Sequence, residues 1–309
     1  MFIRLGRILL LTLSVIASCR AYGQDKLTFS MPESVLLFGS SNFELRIVAD
    51  TSVQVLKPPA RQGAFNYPAL APDGSRVAWG FPLEVAPPNQ RRHFALGVSP
   101  AVKQEWKTSG DFEAIGAAAF SPDRSRVAFA ALQPGRKSLF LILNLSSGEM
   151  ETLGQLSGAG VAEGATLSWS PDGKQLVIEI QKPDQDQPSI AIADLGGANL
   201  KVIGKGTDPA WSPTGEWIAY SDVSQQKCII VHPDGTNARV VRDLGRNLLQ
   251  YRQFAYGAVW SPDGKQLLLN EMKGEGGSLD VMLLDLASGK VTRKLKNGLP
   301  VFGWAKRTP

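Results

Sequence analysis

Residues 258–269 read A-V-W-S-P-D-G-K-Q-L-L-L. A short run ending in Trp260 meets Ser-Pro-Asp-Gly and restarts as an apolar run. Pro262 presets φ near −65° for the second position of a type I turn. Asp263 suits the next position and can accept from nearby backbone amides, and Gly264 takes the left-handed conformation that closes a hairpin. On its own the stretch specifies one β-hairpin and says nothing about function.

Near-copies occur along the chain: A-L-A-P-D-G-S-R-V-A-W at 69–79, A-F-S-P-D-R-S-R-V-A-F at 119–129, S-W-S-P-D-G-K-Q-L-V-I at 168–178 and A-W-S-P-T-G-E-W-I-A-Y at 210–220. The turn prolines Pro72, Pro122, Pro171, Pro213 and Pro262 are spaced 50, 49, 42 and 49 apart, and a truncated copy, F-G-W-A at 302–305, puts Trp304 44 residues beyond Trp260. Repetition at this period points to a repeat architecture. Two turns depart from the pattern. Arg124 stands in the glycine position, at an expected cost of about 1 kcal/mol in local strain, and Thr214 replaces the aspartate.

The strand after each turn alternates at Val77/Trp79, Val127/Phe129, Leu176/Ile178, Ile218/Tyr220 and Leu267/Leu269, with Ala78, Ala128, Val177, Ala219 and Leu268 between. A strand apolar on both sides is covered on both faces, as in a sheet stacked between two others. A second hairpin follows in four copies: 140–144 before Ser147-Gly148, 190–194 before Gly196-Gly197, 229–232 before Asp234-Gly235, and 281–285 before Ser288-Gly289, with a weaker case at 94–99. Four short antiparallel strands per repeat make a propeller blade. Blades are expected to start near residues 66, 116, 165, 208 and 257. The truncated copy at 299–305 supplies an inner strand, and residues 35–57 supply three strands that lack one. The expected fold is all-β: a six-bladed β-propeller of four-stranded antiparallel blades, over residues 24–309, with one blade shared by the N- and C-terminal strands so that no sheet edge is left open.

The repeat W-S-P-D-G-K at 260–265 and 169–174, followed by an apolar strand, and the turn P-D-G-T-N at 233–237 resemble the TolB-type propeller repeat, a WD-like repeat of bacterial envelope proteins. The resemblance covers essentially the whole chain after residue 23. It implies six blades and an exported bacterial protein. No counterpart of the α/β domain that precedes the TolB propeller is expected, since about ten residues separate the expected cleavage site from the first expected strand. No partner-binding residue is carried over from the family, since the shared motif describes a blade and not a function.

Export is also expected from the N-terminus. Arg4 and Arg7 precede an apolar run at 8–17, too short for a stable membrane anchor, so residues 1–23 read as a signal peptide. Small residues at Ala21 and Gly23 suit cleavage before Gln24. I-A-S-C at 16–19 also resembles a lipobox, with Cys19 as the lipidated residue. The expected location is the periplasm or the exterior, soluble or lipid-anchored through Cys19. Later in the chain no run is long enough to span a bilayer. The formal net charge of +5 falls to +2 when Arg4, Arg7 and Arg20 leave with the signal, which removes the electrostatic case for nucleic acid. Cys228, in C-I-I-V, is then the interior cysteine and reads as a small buried hydrophobe with no disulfide.

Signs of catalysis are few. His93 follows Arg91-Arg92, and His232 occupies the slot held elsewhere by Asn144, Asp194 and Asp285, where a turn-capping role is expected. No G-x-S-x-G elbow occurs, and the glycine-rich stretch 158–164 lacks the phosphate-loop lysine and reads as a flexible loop. No catalytic residues, cofactor or metal site are therefore assigned. Carboxylates near the channel mouth (Asp111, Glu113, Glu163, Asp208) leave a carbohydrate-active hydrolase or lyase as the alternative, although their spacing marks no pair and they read as solvated. The stronger handle is loop geometry. Loops entering the inner strands, and those between second and third strands, gather at one mouth. There Asn66, Tyr67, Arg91, Arg92, Arg246, Tyr251, Arg252 and Tyr256 combine tyrosine and arginine, which are enriched in binding hot spots. The expected function is a non-catalytic, monomeric binding module for an envelope protein or a peptidoglycan-associated partner.

Overall fold

The computed structural model describes residues 31–307 except 32, 40–43, 50–51, 58–66, 84–92, 134–136, 154–159, 162–164, 183–184, 197–198, 223, 225, 244–256, 274–277 and 297. Three strands come first: β1 (Ser34–Gly39), β2 (Leu45–Ala49) and β3 (Ser52–Leu56). Blade 1 follows with β4 (Ala69–Leu70), β5 (Arg76–Pro82), β6 (Phe94–Pro100) and β7 (Lys107–Phe112). Blade 2 holds β8 (Ala114–Phe120), β9 (Arg126–Gln133), β10 (Lys137–Asn144) and β11 (Met150–Thr152). Blade 3 holds β12 (Gly160–Val161), β13 (Leu167–Trp169), β14 (Gln175–Gln181), β15 (Ser189–Asp194) and β16 (Leu200–Lys205). Blade 4 holds β17 (Thr207–Trp211), β18 (Ile218–Asp222), β19 (Lys227–Val231) and β20 (Arg239–Asp243). Blade 5 holds β21 (Val259–Trp260), β22 (Gln266–Lys273), β23 (Ser278–Asp285) and β24 (Val291–Leu295). The last strand, β25 (Val301–Lys306), pairs antiparallel with β1, so blade 6 runs β25-β1-β2-β3 and closes the ring with both ends of the fold. Within the stretch expected to be a flexible loop, Gly160 and Val161 instead form β12, which pairs with Gln181 and Ile180 at the end of β14.

The inner strands β25, β4, β8, β13, β17 and β21 touch in that order around the ring. Apolar faces of successive blades meet between them. Phe140 and Ile142 of blade 2 pack with Leu176 and Ile178 of blade 3, and Val177 and Ile192 of blade 3 with Ile218 and Tyr220 of blade 4. The second strands are the most covered: every residue of β18 is buried, and β5 is buried from Val77 to Pro82. That is why their sequences are apolar on both sides.

The repeated turn works as its chemistry requires. Gly74, Gly173, Gly215 and Gly264 have φ between 69° and 79°. Ser121, Ser170 and Ser261 each donate to the turn aspartate and accept the backbone N–H five residues on, at 2.9–3.0 Å. Thr214 takes the aspartate's place opposite Ser212, at 3.1 Å. Arg124 does adopt the left-handed conformation, with φ 64°. Its guanidinium pairs with Asp73 in the preceding blade's turn, and its carbonyl accepts from Arg76 at 2.6 Å, so the strained residue also bolts two turns together.

The motif tryptophans are a second set of bolts. The Trp169 indole N–H donates to the Ala119 carbonyl of blade 2 at 3.0 Å, and that of Trp260 to the Ala210 carbonyl of blade 4 at 2.9 Å. Trp304 of the truncated copy donates to Ser34 at 2.8 Å, across the closing pair of strands. His232 bonds within its turn as expected, Nδ1 meeting the Asn237 amide at 3.3 Å, as Asp194 meets Asn199 at 2.6 Å. Asp234 also holds that turn through Thr236, and the His232 ring lies 4.1 Å from the Trp217 ring. The aromatic contact has a pairwise reason. Where the second strand opens with glutamine, as at Gln175 and Gln266, it bonds Asp194 and Asp285; where it opens with Trp217, an aromatic partner replaces the aspartate.

Candidate functional site at the channel mouth

The inner strands begin at the end of the ring opposite the repeated turns. Counting back three residues from Leu70, Phe120, Trp169, Trp211, Trp260 and Trp304 gives Tyr67, Ala117, Thr166, Asp208, Gly257 and Val301. These six equivalent positions, all different, form one layer around the mouth. The Tyr67 carbonyl accepts from Ala118 of blade 2 at 3.4 Å, and the Ala117 amide donates to Ala165 of blade 3 at 3.3 Å.

Glu179 and Asp208 meet in this layer. Glu179 is the charged interruption in Q-L-V-I-E-I-Q of β14, 8% exposed between the fully buried Ile178 and Ile180. Antiparallel pairing sets it level with Thr166, whose hydroxyl donates to Glu179 Oε2 at 3.0 Å. The same oxygen accepts from the Asp208 backbone N–H of blade 4 at 3.4 Å. Asp208 is placed by a bulge in β17: Thr207 pairs with Ser221 and Ala210 with Ala219, so Asp208 and Pro209 together oppose Tyr220. Bulges bend a strand and re-aim a side chain, and Asp208 sits at φ 56°. A Cβ on Gly257, which opens the next inner strand, would come within 2.9 Å of the Asp208 Cβ, so only glycine lets blade 5 approach this closely.

The Asp208 carboxylate accepts from the Thr207 hydroxyl at 3.0 Å. Tyr67 of blade 1 comes near enough to help hold the Asp208 carboxyl down. Its ring also stands edge-on to Phe302 of blade 6, centroids 6.0 Å apart. Burial pushes the Glu179 carboxyl well above the usual range, and the neighbouring Asp208 charge adds to the rise. Asp208 is half-buried by surface area but lies deep among the inner strands. Desolvation raises it as well, against the opposing pull of the Thr207 hydrogen bond and of the Tyr67 side chain.

A neutral counterpart occurs at the closing seam. Asn270, equivalent to Glu179 and 2% exposed, donates through Nδ2 to the Val301 carbonyl and accepts from the Val301 N–H, both at 2.8 Å. One position later, Glu271 takes two hydrogen bonds from Arg242 of blade 4, at 2.7 and 3.2 Å.

Among the carboxylates expected at the mouth, Asp208 is therefore not solvated; its partner Glu179 was not singled out from the sequence. The signal was a lone acid in an apolar strand. Asp111 is exposed and pairs with His93 Nδ1 at 2.6 Å, and Glu113 is half-buried. Tyr67 precedes the inner strand β4, with its ring against Phe302. Cys19, Asn66, Arg91, Arg92, Glu163, Arg246, Tyr251, Arg252 and Tyr256 lie outside the described residues, as does the expected signal peptide. Cys228 is buried and free. Among the described residues no group of three or more His, Cys, Asp or Glu is arranged to hold a metal ion, and no helix is long and apolar enough to cross a membrane.

Comparison with known structures agrees with the ring. TolB from Acinetobacter baumannii superposes with a TM-score of 0.65 over 88% of this chain and 66% of that one, at 15% identity. The fold is a TolB-type six-bladed propeller. A nidogen/laminin complex superposes on the same TolB-type ring with a TM-score of 0.63 over 88% of this chain and 97% of that one, at 15% identity. An oligogalacturonate lyase from Vibrio parahaemolyticus does so with 0.57 over 83% and 76%, at 14% identity. By sequence, 128 residues are 29% identical to the uncharacterized peptidase YuxL of Bacillus subtilis, covering 36% of this chain and 18% of that protein. The chain thus spans about two thirds of the TolB chain and less than a fifth of YuxL. No family model matches.

Proposed function

We propose that the protein is an exported binding module of the bacterial cell envelope that takes a protein or a peptidoglycan-associated partner at the channel mouth. The observation that carries this reading is the division of labour between the two ends of the ring. At the turn end the recurring Ser, Asp and Trp groups are engaged in holding blades together. At the mouth the equivalent positions differ in all six blades, and the loops with Arg91, Arg92, Arg246, Tyr251, Arg252 and Tyr256 lead to it in sequence. A TolB and a nidogen/laminin complex among the structural neighbours support a protein partner. Cross-linking and capture from envelope extract is the test. Arg252→Glu with Tyr256→Ala should lose the captured partner, whereas Lys265→Glu at the turn end should keep it. Undiminished capture by the mouth variant would count against the interface.

The lyase neighbour and the Glu179–Asp208 pair favour a second reading, acid–base chemistry on an anionic sugar. Against it, both carboxylates accept hydrogen bonds from within the ring. An oligogalacturonide-cleaving activity lost in Glu179→Gln would establish this reading in place of the first.

A further inference from the structure

We infer that a pocket at the mouth end of blade 3 binds a small zwitterion of dipeptide size. The pocket has a volume of about 340 Å³ and is lined by Gln185, Asp186, Gln187 and Lys205. Gln185 to Gln187 lie in the loop that joins β14 to β15, and Lys205 ends β16. Second and fourth strands both end where the inner strands begin, so the two pieces meet on the rim of the mouth, outside the channel.

Hydrogen bonds fix the frame of this pocket and leave its polar ends unused. The Gln181 amide, at the end of β14, donates to the Lys182 and Gln185 carbonyls at 3.2 and 2.5 Å, and the Gln185 N–H donates to the Lys182 carbonyl at 3.2 Å. Ser189, 1% exposed, donates its hydroxyl to Gln185 Oε1 at 2.9 Å. That bond orients the carboxamide and leaves Nε2 as its open donor. Lys205 is held alongside because the next residue, Gly206, donates its N–H to the Pro188 carbonyl at 3.0 Å. A Cβ at Gly206 would come within 2.2 Å of the Ser221 carbonyl oxygen, so this corner needs glycine. By contrast, no hydrogen bond or ion pair among the described residues engages the side chains of Asp186, Gln187 or Lys205. Asp186 and Lys205 share one pocket without pairing with each other.

The lining sets the chemistry of the ligand. It offers one negative and one positive group. A ligand with charge of a single sign is opposed by one of them, whereas an ammonium facing Asp186 and a carboxylate facing Lys205 satisfy both, through hydrogen bonds of the stronger, charge-assisted kind. The two glutamines both donate and accept, as a peptide group does. None of the lining residues is aromatic, so a sugar or base ring finds no face to stack on. The volume equals that of about eleven waters at ~30 Å³ each, and alanyl-alanine has about that many non-hydrogen atoms. Ordering the exposed Asp186 and Lys205 side chains opposes binding, so the affinity is expected to be weak.

The test is a titration of the purified protein with alanyl-alanine at neutral pH, followed by amide chemical shifts in NMR. Saturable shifts are expected at residues 185–187 and 205–206, with residues 259–260 unmoved. Blocking the ammonium by N-acetylation, or the carboxylate by amidation, should each weaken binding about tenfold or more, the worth of one hydrogen bond to a charged group. Asp186→Asn should bind the free and the acetylated dipeptide alike, and Lys205→Met the free and the amidated one. Both positions are exposed, so neither variant endangers the fold. No saturable shift at these residues with millimolar dipeptide would overturn the assignment. So would equal binding of the free and the doubly blocked dipeptide, or saturable binding of glucose at the same residues. The titration needs no protein partner, so its failure leaves the proposed binding function standing, and a failed capture leaves the pocket standing.

Discussion

Asn270→Ala isolates what closes the ring. The Asn270 side chain satisfies both backbone groups of Val301, each at 2.8 Å, and Val301 is fully buried, so no water can take the place of the lost amide. Leaving a buried donor or acceptor unpaired costs about 1–3 kcal/mol each. The two together come to about 2–6 kcal/mol, against a total stability of roughly 5–15 kcal/mol for a typical domain. A melting temperature lowered by about 5–20 °C is expected for a chain of this size. The loss should be local before it is global. Hydrogen exchange should accelerate first in β25 and β1, which pair from Ser34↔Lys306 to Phe38↔Val301, and leave β14 and β15 protected. Asn270→Asp sharpens the test. Ionised, it keeps the acceptor for the Val301 N–H but sets a negative charge against the Val301 carbonyl; protonated, it can donate again. Its pKa in the folded ring is therefore raised, and the lost stability should return as pH falls through that raised value. A change below about 0.5 kcal/mol in Asn270→Ala, the usual scale of a neutral surface substitution, would refute the reasoning. So would exchange that accelerates equally in all blades.

The other predictions concern the bolts. Trp169→Phe and Trp260→Phe leave the Ala119 and Ala210 carbonyls without their indole donors and should cost about 1–3 kcal/mol each in chemical denaturation; Trp211→Phe, whose N–H stays within its own turn at Gly215, should cost less. Arg124→Gly removes about 1 kcal/mol of left-handed strain and loses an ion pair whose partners are 49% and 19% exposed, worth about as little, so stability should change by less than about 1 kcal/mol. In the same variant Asp73, held at about 2 by hydrogen bonds from Ser75 and Arg124 against partial burial, should titrate closer to an ordinary aspartate by NMR. Burial, with the Glu271 charge adding to it, pushes the Cys228 thiol up to about 12, so a thiol reagent at about pH 8 should leave the native protein unlabelled and label it once unfolded.

The ring could be read from the sequence because its instructions are local. Proline, aspartate and glycine within five residues fix each turn, and the period of the turns counts the blades. Blade 6 could be read by subtraction: three strands at 34–56 lacked an inner strand, and 301–306 was an inner strand without a blade. The seams could not be read in this way. Glu179 and Asp208 are 29 residues apart, and Asn270 and Val301 are 31 apart. These pairs meet only because a second strand faces the next blade's inner strand, and that register depends on a bulge in β17 that no turn residue announces.

Once the registers are known, they reveal an economy in the design. The residue eight after the turn proline is Gly80, Ala130, Glu179, Ser221 and Asn270 in blades 1 to 5, and at Glu179 and Asn270 it bonds the start of the next inner strand. The other three are small. The two long polar ones occur where the next inner strand needs a hydrogen-bond partner: the bulged Asp208 and the returning C-terminal strand at Val301. Of those two seams, only the first is built from acids. An amide holds its partners equally at any pH, whereas burial raises both acids of the first seam, so that its hold weakens as pH rises and they ionise. The Asn270 seam is therefore indifferent to pH, and the seam between blades 3 and 4 responds to it.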